Sequence, residues 1–415
     1  MKKNICYALM FFSGILWMSC RKNDPEPNPE PQPQTVAVSG ISLNNTTLIL
    51  EVDSSEILTA YVTPQNATNK AVVWSSSIGS VATVDNAGKV TAVGEGVSTV
   101  TVITSDGGMT AQCEVTVYSL YRASGSTGPL TWTLSYDNTL TISGNGAMPD
   151  YSWRETPWYD LRLSISTLVI GDKVTSIGER AFEDCRSFAG NLIIPNSVTS
   201  IGAWSFWGCS RFTGDLIIPN SVTSIGEGAF QNCIGFTDDL IIPNSVTSMG
   251  ERVFYSCWGF TGDLTISNSV TSIERNSFAF CNNFTGELTI GNSVNSIGDE
   301  AFNHCNGFTG NLIIPNSVTS IGDDVFAYCN SFTGNLIIPN SVTSIGERAF
   351  IGCSGFSHFV VGWTIPLSVH DIFNFIDLPT KTLHVPAGTK EHYQATSVWQ
   401  NFGTIVEDAH LFFPP

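Results

Sequence analysis

Residues 181–202 read AFEDCRSFAGNLIIPNSVTSIG, and residues 205–226 read SFWGCSRFTGDLIIPNSVTSIG. The second stretch is the first moved on by 24 residues, and the same frame runs on in both directions. Cys185, Cys209, Cys233, Cys257, Cys281, Cys305, Cys329 and Cys353 follow each other at that interval. A phenylalanine stands three before each (Phe182 to Phe350) and three after each (Phe188 to Phe356), which uses 16 of the 25 in the chain. Val174 to Val342 and Ser176 to Ser344 recur in step. A fixed period in this range predicts a solenoid, one coil per repeat.

Each repeat reads physically. In Asn191-Leu192-Ile193-Ile194-Pro195 the apolar residues predict a short strand that Pro195 ends by removing a ladder donor. Asn196-Ser197 is a turn, and Val198 and Ile201 point inward before Gly202. Phe206 and Cys209 have the three-residue spacing of one face of a helical turn. Stacked coils repeat at about 4.8 Å, so eight of them make a section roughly 40 Å long.

The frame resembles leucine-rich repeats of the BspA-like type, on motifs such as Ala181-Phe182-Glu183-Asp184-Cys185 and Val222-Thr223-Ser224-Ile225-Gly226. Departures are few: Ser267 and Gly291 replace the strand-ending proline, Met249 an isoleucine and Glu274 a glycine. They predict locally altered turns. The repeats span 165–357. A terminal coil needs a cap over its apolar face and strand edge. The hairpin around Asp137-Asn138, with Pro157-Trp158-Tyr159, marks an N-terminal cap over 119–164. After Cys353 the period fails, and Leu383-His384-Val385-Pro386 with Trp399-Gln400-Asn401-Phe402 resembles the family's closing cap, over 358–415.

Upstream, residues 37–118 carry about seven short β-rich runs parted by turns such as Asp85-Asn86-Ala87-Gly88, the texture of a β-sandwich. Trp74-Ser75-Ser76-Ser77, Val81-Ala82-Thr83-Val84-Asp85 and Gly88-Lys89-Val90-Thr91-Ala92 resemble the group 2 bacterial Ig-like family, which implies a spacer or adhesion module. Trp74 reads as its core tryptophan, and Cys113 has no partner within it. The fold expected is therefore mainly β: an Ig-like sandwich followed by a capped leucine-rich-repeat solenoid.

At the N-terminus, Lys2 and Lys3 precede the apolar run Ile5 to Met18, too short for the ~20 residues of a membrane span. Residues 1–19 read as a signal peptide. Leu16 to Cys20 resembles a bacterial lipobox, which implies lipidation of Cys20; Trp17 departs from it, and ordinary signal-peptidase cleavage is the alternative. The rest of 20–36 is a Pro-rich stalk, stiff and extended. The expected location is the cell surface or outer membrane, with membrane contact only through the anchor.

The chain has 415 residues, 18 basic against 36 acidic, for a formal charge of −18. That balance argues against nucleic acid, whose binding needs Lys and Arg on phosphates. The eight periodic cysteines lack the C-x-x-C or histidine partners of a metal site. Equivalent residues of stacked coils point their Cβ atoms in parallel, which suits a disulfide poorly. Buried free thiols are the favoured reading. Asn196, Asn220, Asn244, Asn268, Asn292, Asn316 and Asn340 predict an amide ladder. Two acidic rows recur, one from Glu179 to Glu347 and one through Asp215, Asp239, Asp263 and Glu287, and read as solvated faces, with weak divalent-cation binding as the alternative.

No nucleophile-base pair, phosphate loop or HExxH motif occurs, and no cofactor, metal or enzymatic activity is expected. Internal variation points elsewhere. The two residues between each Phe and Cys are expected to face outward, Trp207-Gly208, Ala279-Phe280 and Ala327-Tyr328 among them. Trp204, Trp207, Arg211, Arg252, Tyr255, Trp258, Phe280 and Tyr328 form a candidate partner-binding set, residue types that supply interface hot spots. Packing across adjacent coils is the simpler account of the aromatics. Ile193, Ile217, Ile241, Ile313 and Ile337 predict an apolar row on the open sheet, a second candidate surface. The BspA-like resemblance implies adhesion, by a monomer, to host extracellular or cell-surface proteins or to other bacteria; a surface glycan is the alternative partner.

Overall fold

A computed structural model describes residues 34–409. The signal peptide, Cys20 and most of the stalk lie outside the described residues. The chain divides into two compact units between Ser119 and Leu120. Among the described residues no helix is long and apolar enough to cross a membrane.

In the first unit one sheet orders its strands Thr47–Glu51, Thr110–Tyr118, Gly96–Thr104 and Val72–Ser76, the first pair parallel. Ser55–Ile57, Lys89–Ala92 and Ala82–Val84 form a second. Strand alternation puts Leu48, Leu50, Val90, Ala92, Val100, Val115 and Val117 into one core, with Cys113 buried there as a free thiol. Trp74 is half-buried and packs against that core.

The second unit opens as an antiparallel meander, Tyr121–Thr127, Leu130–Ser135 and Thr139–Gly144. The last strand then pairs parallel with Thr167–Ile170, which starts the solenoid. About 11 turns follow from residue 139 on. Each coil has three sides. On the first, Leu192 and Ile194 are buried and Ile193 is exposed, and the alternation repeats in later coils. Strand pairing on this side is formed in Leu240–Ile242, Leu264–Ile266 and Leu288–Thr289, and again from Leu312–Ile313 onward. Contrary to the sequence reading, 192–194 and 216–218 are not strands; isolated bridges Gly190↔Phe212 and Gly214↔Phe236 hold those coils instead.

The second side is a parallel Ser-Ile ladder, Ser176↔Ser200 and Ile177↔Ile201 and onward. It breaks once, between Ser248–Met249 and Ser272–Ile273, where Met249 and Glu274 depart from the repeat. The first side breaks between Leu288–Thr289 and Leu312–Ile313, beside Gly291. The departures thus interrupt ladders rather than turns: at Ser267 and Gly291 the turn still closes, with the Val270 and Val294 N–H groups donating to Ser267 O and Gly291 O as Val198 does to Pro195 O.

The third side corrects the helical-turn expectation: no helix forms there. The Trp204, Phe206 and Gly208 N–H groups donate to the next coil at Glu227, Ala229 and Gln231, while Trp207 and Cys209 donate back to Trp204 and Phe206. An α-helix would need those N–H groups for bonds within its own coil. Alternate donation forces the chain through left-handed backbone twice per coil. The first such position is occupied by Arg180, Trp204, Gly228, Arg252, Asn276, Glu300, Asp324 and Arg348, with φ between 53° and 58°. The second is occupied by Asp184, Gly208, Asn232, Ser256, Phe280, His304, Tyr328 and Gly352, with φ between 57° and 74°.

Between these positions the core side chains stack. Phe182 through Phe350 form one column and Phe188 through Phe356 a second, with ring centroids 4.9 to 6.1 Å apart. The cysteines are free and buried. Seven of them make the same hydrogen bond. The Cys209 thiol donates to Phe182 O at 3.1 Å, and so on in each coil to Cys353 and Phe326 O at 3.0 Å. The same Phe182 carbonyl accepts the Cys185 N–H, so both its lone pairs are used.

Polar ladders close the corners, and hydroxyls form most of them. Ser197 Oγ donates to Val174 O at 2.6 Å, and Thr199 Oγ1 to Thr175 O at 3.1 Å, with repeats at Ser221, Ser317, Thr223, Thr247, Thr319 and Thr343. The expected asparagine ladder is seen where the Asn292 N–H donates to Asn268 Oδ1 at 2.7 Å. The acidic rows are also more than solvated faces. Asp239 accepts the Asp263 N–H, Asp263 the Glu287 N–H, Asp299 the Asp323 N–H and Asp323 the Glu347 N–H, at 2.7 to 2.9 Å.

At the C-terminus the Cys frame stops but the parallel sheet does not: His358–Val361, Thr382–Pro386 and Thr404–Asp408 extend it. Trp363, Tyr393 and Trp399 fill the space under these strands and donate to Val342 O, Trp363 O and Leu367 O. At the other end Trp158 stacks on Phe182 at 5.7 Å and donates to Ala181 O.

Burial raises the thiols well above their ordinary value of 9.0, those of Cys281 and Cys353 to about 12. In native protein they stay unreactive to thiol reagents; in denaturant without reductant all eight react, and finding none reactive would overturn the free-thiol assignment. A second expectation concerns alkali. The unfolded thiols ionise first, so this contribution is whole below about pH 8.5 and is lost as pH rises toward the folded value. Urea midpoints should fall steeply across that range, and less steeply when Cys281 and Cys353 are changed to alanine.

Candidate functional site

Left-handed backbone costs a residue with a side chain about 1 kcal/mol. Asp184, Asn232 and Ser256, with Gly208 and Gly352, meet the demand of the second left-handed position with small or turn-favouring residues. Three consecutive coils do the opposite and place Phe280, His304 and Tyr328 there. Their rings form a continuous edge-to-face strip that Tyr255 extends by one coil. Centroids lie 5.4 Å apart for Tyr255 and Phe280, 5.1 Å for Phe280 and His304, and 4.8 Å for His304 and Tyr328. Such contacts are worth about 0.5 to 1.5 kcal/mol each and offset the backbone cost. Tyr328 remains 43% exposed; Tyr255, Phe280 and His304 are half-buried. Burial lowers the pKa of His304, so its imidazole stays neutral at pH 7.

The structure thus joins Tyr255, Phe280 and Tyr328 of the candidate set, and adds His304. Sequence reasoning places His304 with Asn303 among the outward residues between Phe302 and Cys305 but leaves it out of the candidate set, although its place in the period is equivalent to that of Phe280 and Tyr328. The rest of the set is dispersed. Trp204 occupies the first left-handed position of its coil and lies over Gly228, where an added Cβ would come within 2.4 Å of the indole. The Arg180 guanidinium stands 5.8 Å from the same ring. Trp207 is half-buried, Arg211 exposed, and Arg252 ion-paired with Glu227 at 3.3 Å. Trp258 is 51% exposed, in the same repeat position as Ile234. The expectation that both residues between Phe and Cys face out is corrected: Ala279 and Ala327 are buried, and only the second residue of those pairs points outward. At Trp207, Tyr255 and Asn303 the first residue is half-buried.

The open-sheet row is present. Ile193, Ile217 and Ile241 are exposed, with Ile313 and Ile337 half-buried. Among the described residues no group of three or more His, Cys, Asp or Glu could hold a metal ion. The histidines that do meet, His358 and His384, share one hydrogen bond of 3.0 Å on the C-terminal cap.

Comparison with known proteins follows the two units. Residues 37–115 match the bacterial Ig-like domain, group 2. The BspA type leucine rich repeat region matches in six copies, over 158–285, 212–333 and 260–375. Among solved structures, a leucine-rich repeat protein of Eubacterium ventriosum is 24% identical, covering 64% of this chain and 78% of its own, with a TM-score of 0.38. A leucine rich cell surface protein of Faecalibacterium prausnitzii is 22% identical over 69% of this chain and 95% of its own, TM-score 0.38. Among curated relatives, the lacto-N-biosidase of Bifidobacterium bifidum is 43% identical over 108 residues, 26% of this chain and 10% of that one. The α-L-arabinofuranosidase of Bifidobacterium longum is 48% identical over 83 residues, 20% of this chain and 8% of that one. The chain thus spans about a tenth or less of those two relatives. With its repeat match running from residue 158 to 375, more than half its length, the chain belongs to the BspA-type leucine-rich-repeat family.

Proposed function

We propose that this chain is a non-catalytic adhesin of the bacterial surface, held there through Cys20 and the Pro-rich stalk and spaced from it by the Ig-like unit. Its solenoid recognises host extracellular or cell-surface proteins, or other bacteria. The observation that carries this reading is the strip Tyr255, Phe280, His304 and Tyr328. Three of its members occupy the left-handed position that the other five coils fill with Gly, Asn, Asp or Ser, and the ring contacts that offset the backbone cost still leave Tyr328 43% exposed. Exposed tyrosine and tryptophan are also the residues that anchor protein interfaces. A surface glycan is the second reading, favoured by Trp258, 51% exposed, and by the segments shared with two proteins named as glycosidases.

Changing Tyr255, Phe280 and Tyr328 together to serine should weaken binding to immobilised extracellular-matrix proteins about tenfold or more, a loss of at least about 1.4 kcal/mol. The same variant, and one with Trp204, Trp207 and Trp258 changed to serine, are applied to a glycan array. Loss on the array alone favours the glycan reading, and retention of both activities retires the aromatic site. His304 supplies a separate check. Its NMR titration midpoint should lie below 6.5 and move toward that value when Tyr328 is replaced by alanine, because opening the strip to water restores hydration of the charged ring. The stability His304 contributes by staying neutral is whole above pH 6.5 and declines as pH falls below it.

A further inference from the structure

The outward face of the first side carries two columns, because residues two apart in an extended segment share a face. One is apolar: Ile193, Ile217 and Ile241 are 73%, 69% and 57% exposed. The other is acidic: Asp215, Asp239, Asp263 and Glu287 stand two places before Ile217, Ile241, Thr265 and Thr289, all four exposed. None of these carboxylates has an ion pair among the described residues. Like charges instead stand near one another: a side-chain hydrogen bond with Asp238, then desolvation, then repulsion from Asp238 and Asp239 raise the pKa of Asp215. The face is also open where the first-side ladder is missing, and a shallow groove there is lined by Asn191, Ile193, Asn196, Asp215, Ile217 and Pro219.

We infer that this face, distinct from the aromatic strip, docks an amphipathic helix of a protein partner whose apolar stripe is flanked by lysine or arginine. Coils rise by about 4.8 Å. Side chains three and four apart on a helix lie about 5 to 6 Å apart, so a helix laid along the solenoid sets roughly one apolar residue on each coil. Its basic flank then falls on the acidic column about 7 Å to one side, two residues along the strand direction. Charge complementarity sets the orientation and the isoleucines supply the apolar contact. The occupant is a helix carrying cations, because a neutral apolar segment would leave the acidic column without a counter-charge.

The test uses the exported chain and a synthetic leucine-lysine peptide of roughly 18 residues, long enough to hold a helix. Controls replace its lysines with glutamate or with serine. Tight binding by the lysine peptide alone is expected, weakening as salt rises from ~0.05 to ~0.5 M. Ile193→Ser, Ile217→Ser and Ile241→Ser combined should weaken it about tenfold. So should Asp215→Asn, Asp239→Asn and Asp263→Asn combined, a change that keeps the backbone acceptor, as Asn311 shows by accepting the Asn335 N–H at 2.8 Å. Circular dichroism melts confirm that both variants fold, and the tyrosine and phenylalanine variant of the strip should bind the peptide like native protein. Equal binding by the serine peptide, native-like binding by either triple variant, or loss in the strip variant overturns the inference. A dimer in sedimentation that the isoleucine variant dissolves overturns it in favour of a second copy of the chain.

Discussion

Every coil leans on one shared acceptor. The carbonyl of the phenylalanine before each cysteine takes the N–H of that cysteine from its own coil and, from Phe182 to Phe326, the thiol of the cysteine one coil on. A buried carbonyl with an unused lone pair is costly, and a hydroxyl in the same slot would be harder to dehydrate than a thiol. Cysteine is small enough for the gap between two phenylalanine columns and polar enough to donate. The interaction locks the phase of one coil to the next. With that phase set, the rings stack, the serine-isoleucine ladder registers and the left-handed turns recur at the same two places.

From that regularity the function-bearing features follow. A solenoid whose inward residues cannot vary confines variation to outward positions, so the surface is written by a few side chains per coil. On the turn side the left-handed backbone decides which of these point out. On the sheet side the pleat decides, and at Ile217 and Ile241 it sets isoleucine beside an acid two residues earlier. The Asp-to-N–H bonds of the acidic rows join consecutive coils and explain why short carboxylates recur beside exposed backbone, with no metal required. The caps apply the same rule at the ends: Trp158 stacks on Phe182, Trp399 packs against Phe373, which itself meets Phe350, and both indoles return their N–H groups to backbone carbonyls.

Much of this is legible in the residues. The 24-residue period predicts the solenoid, the two phenylalanine columns and the buried thiols, because identical residues in stacked coils must occupy identical environments. Strand alternation foretells the exposed Ile193, Ile217 and Ile241. The site is less legible. Residue type singles out Tyr255, Phe280 and Tyr328, but together with Trp204, Trp207 and Trp258 as if they were one group, and it leaves out His304. Three-residue spacing between Phe206 and Cys209 fits both a helical turn and the left-handed turn that forms, since each returns the chain to the same face.

What the sequence by itself determined is the coil, its length and its inward residues, because burial repeated eight times leaves a pattern that any reading of period recovers. What only the tertiary structure decided is where each coil directs its backbone donors. Giving alternate N–H groups to the next coil rules out the helix, sets φ positive at Phe280, His304 and Tyr328, and brings those rings within 5.1 Å of one another at successive coils. That choice depends on a neighbour about 4.8 Å away along the stack. A neighbour 24 residues distant leaves no mark on the local sequence of a turn.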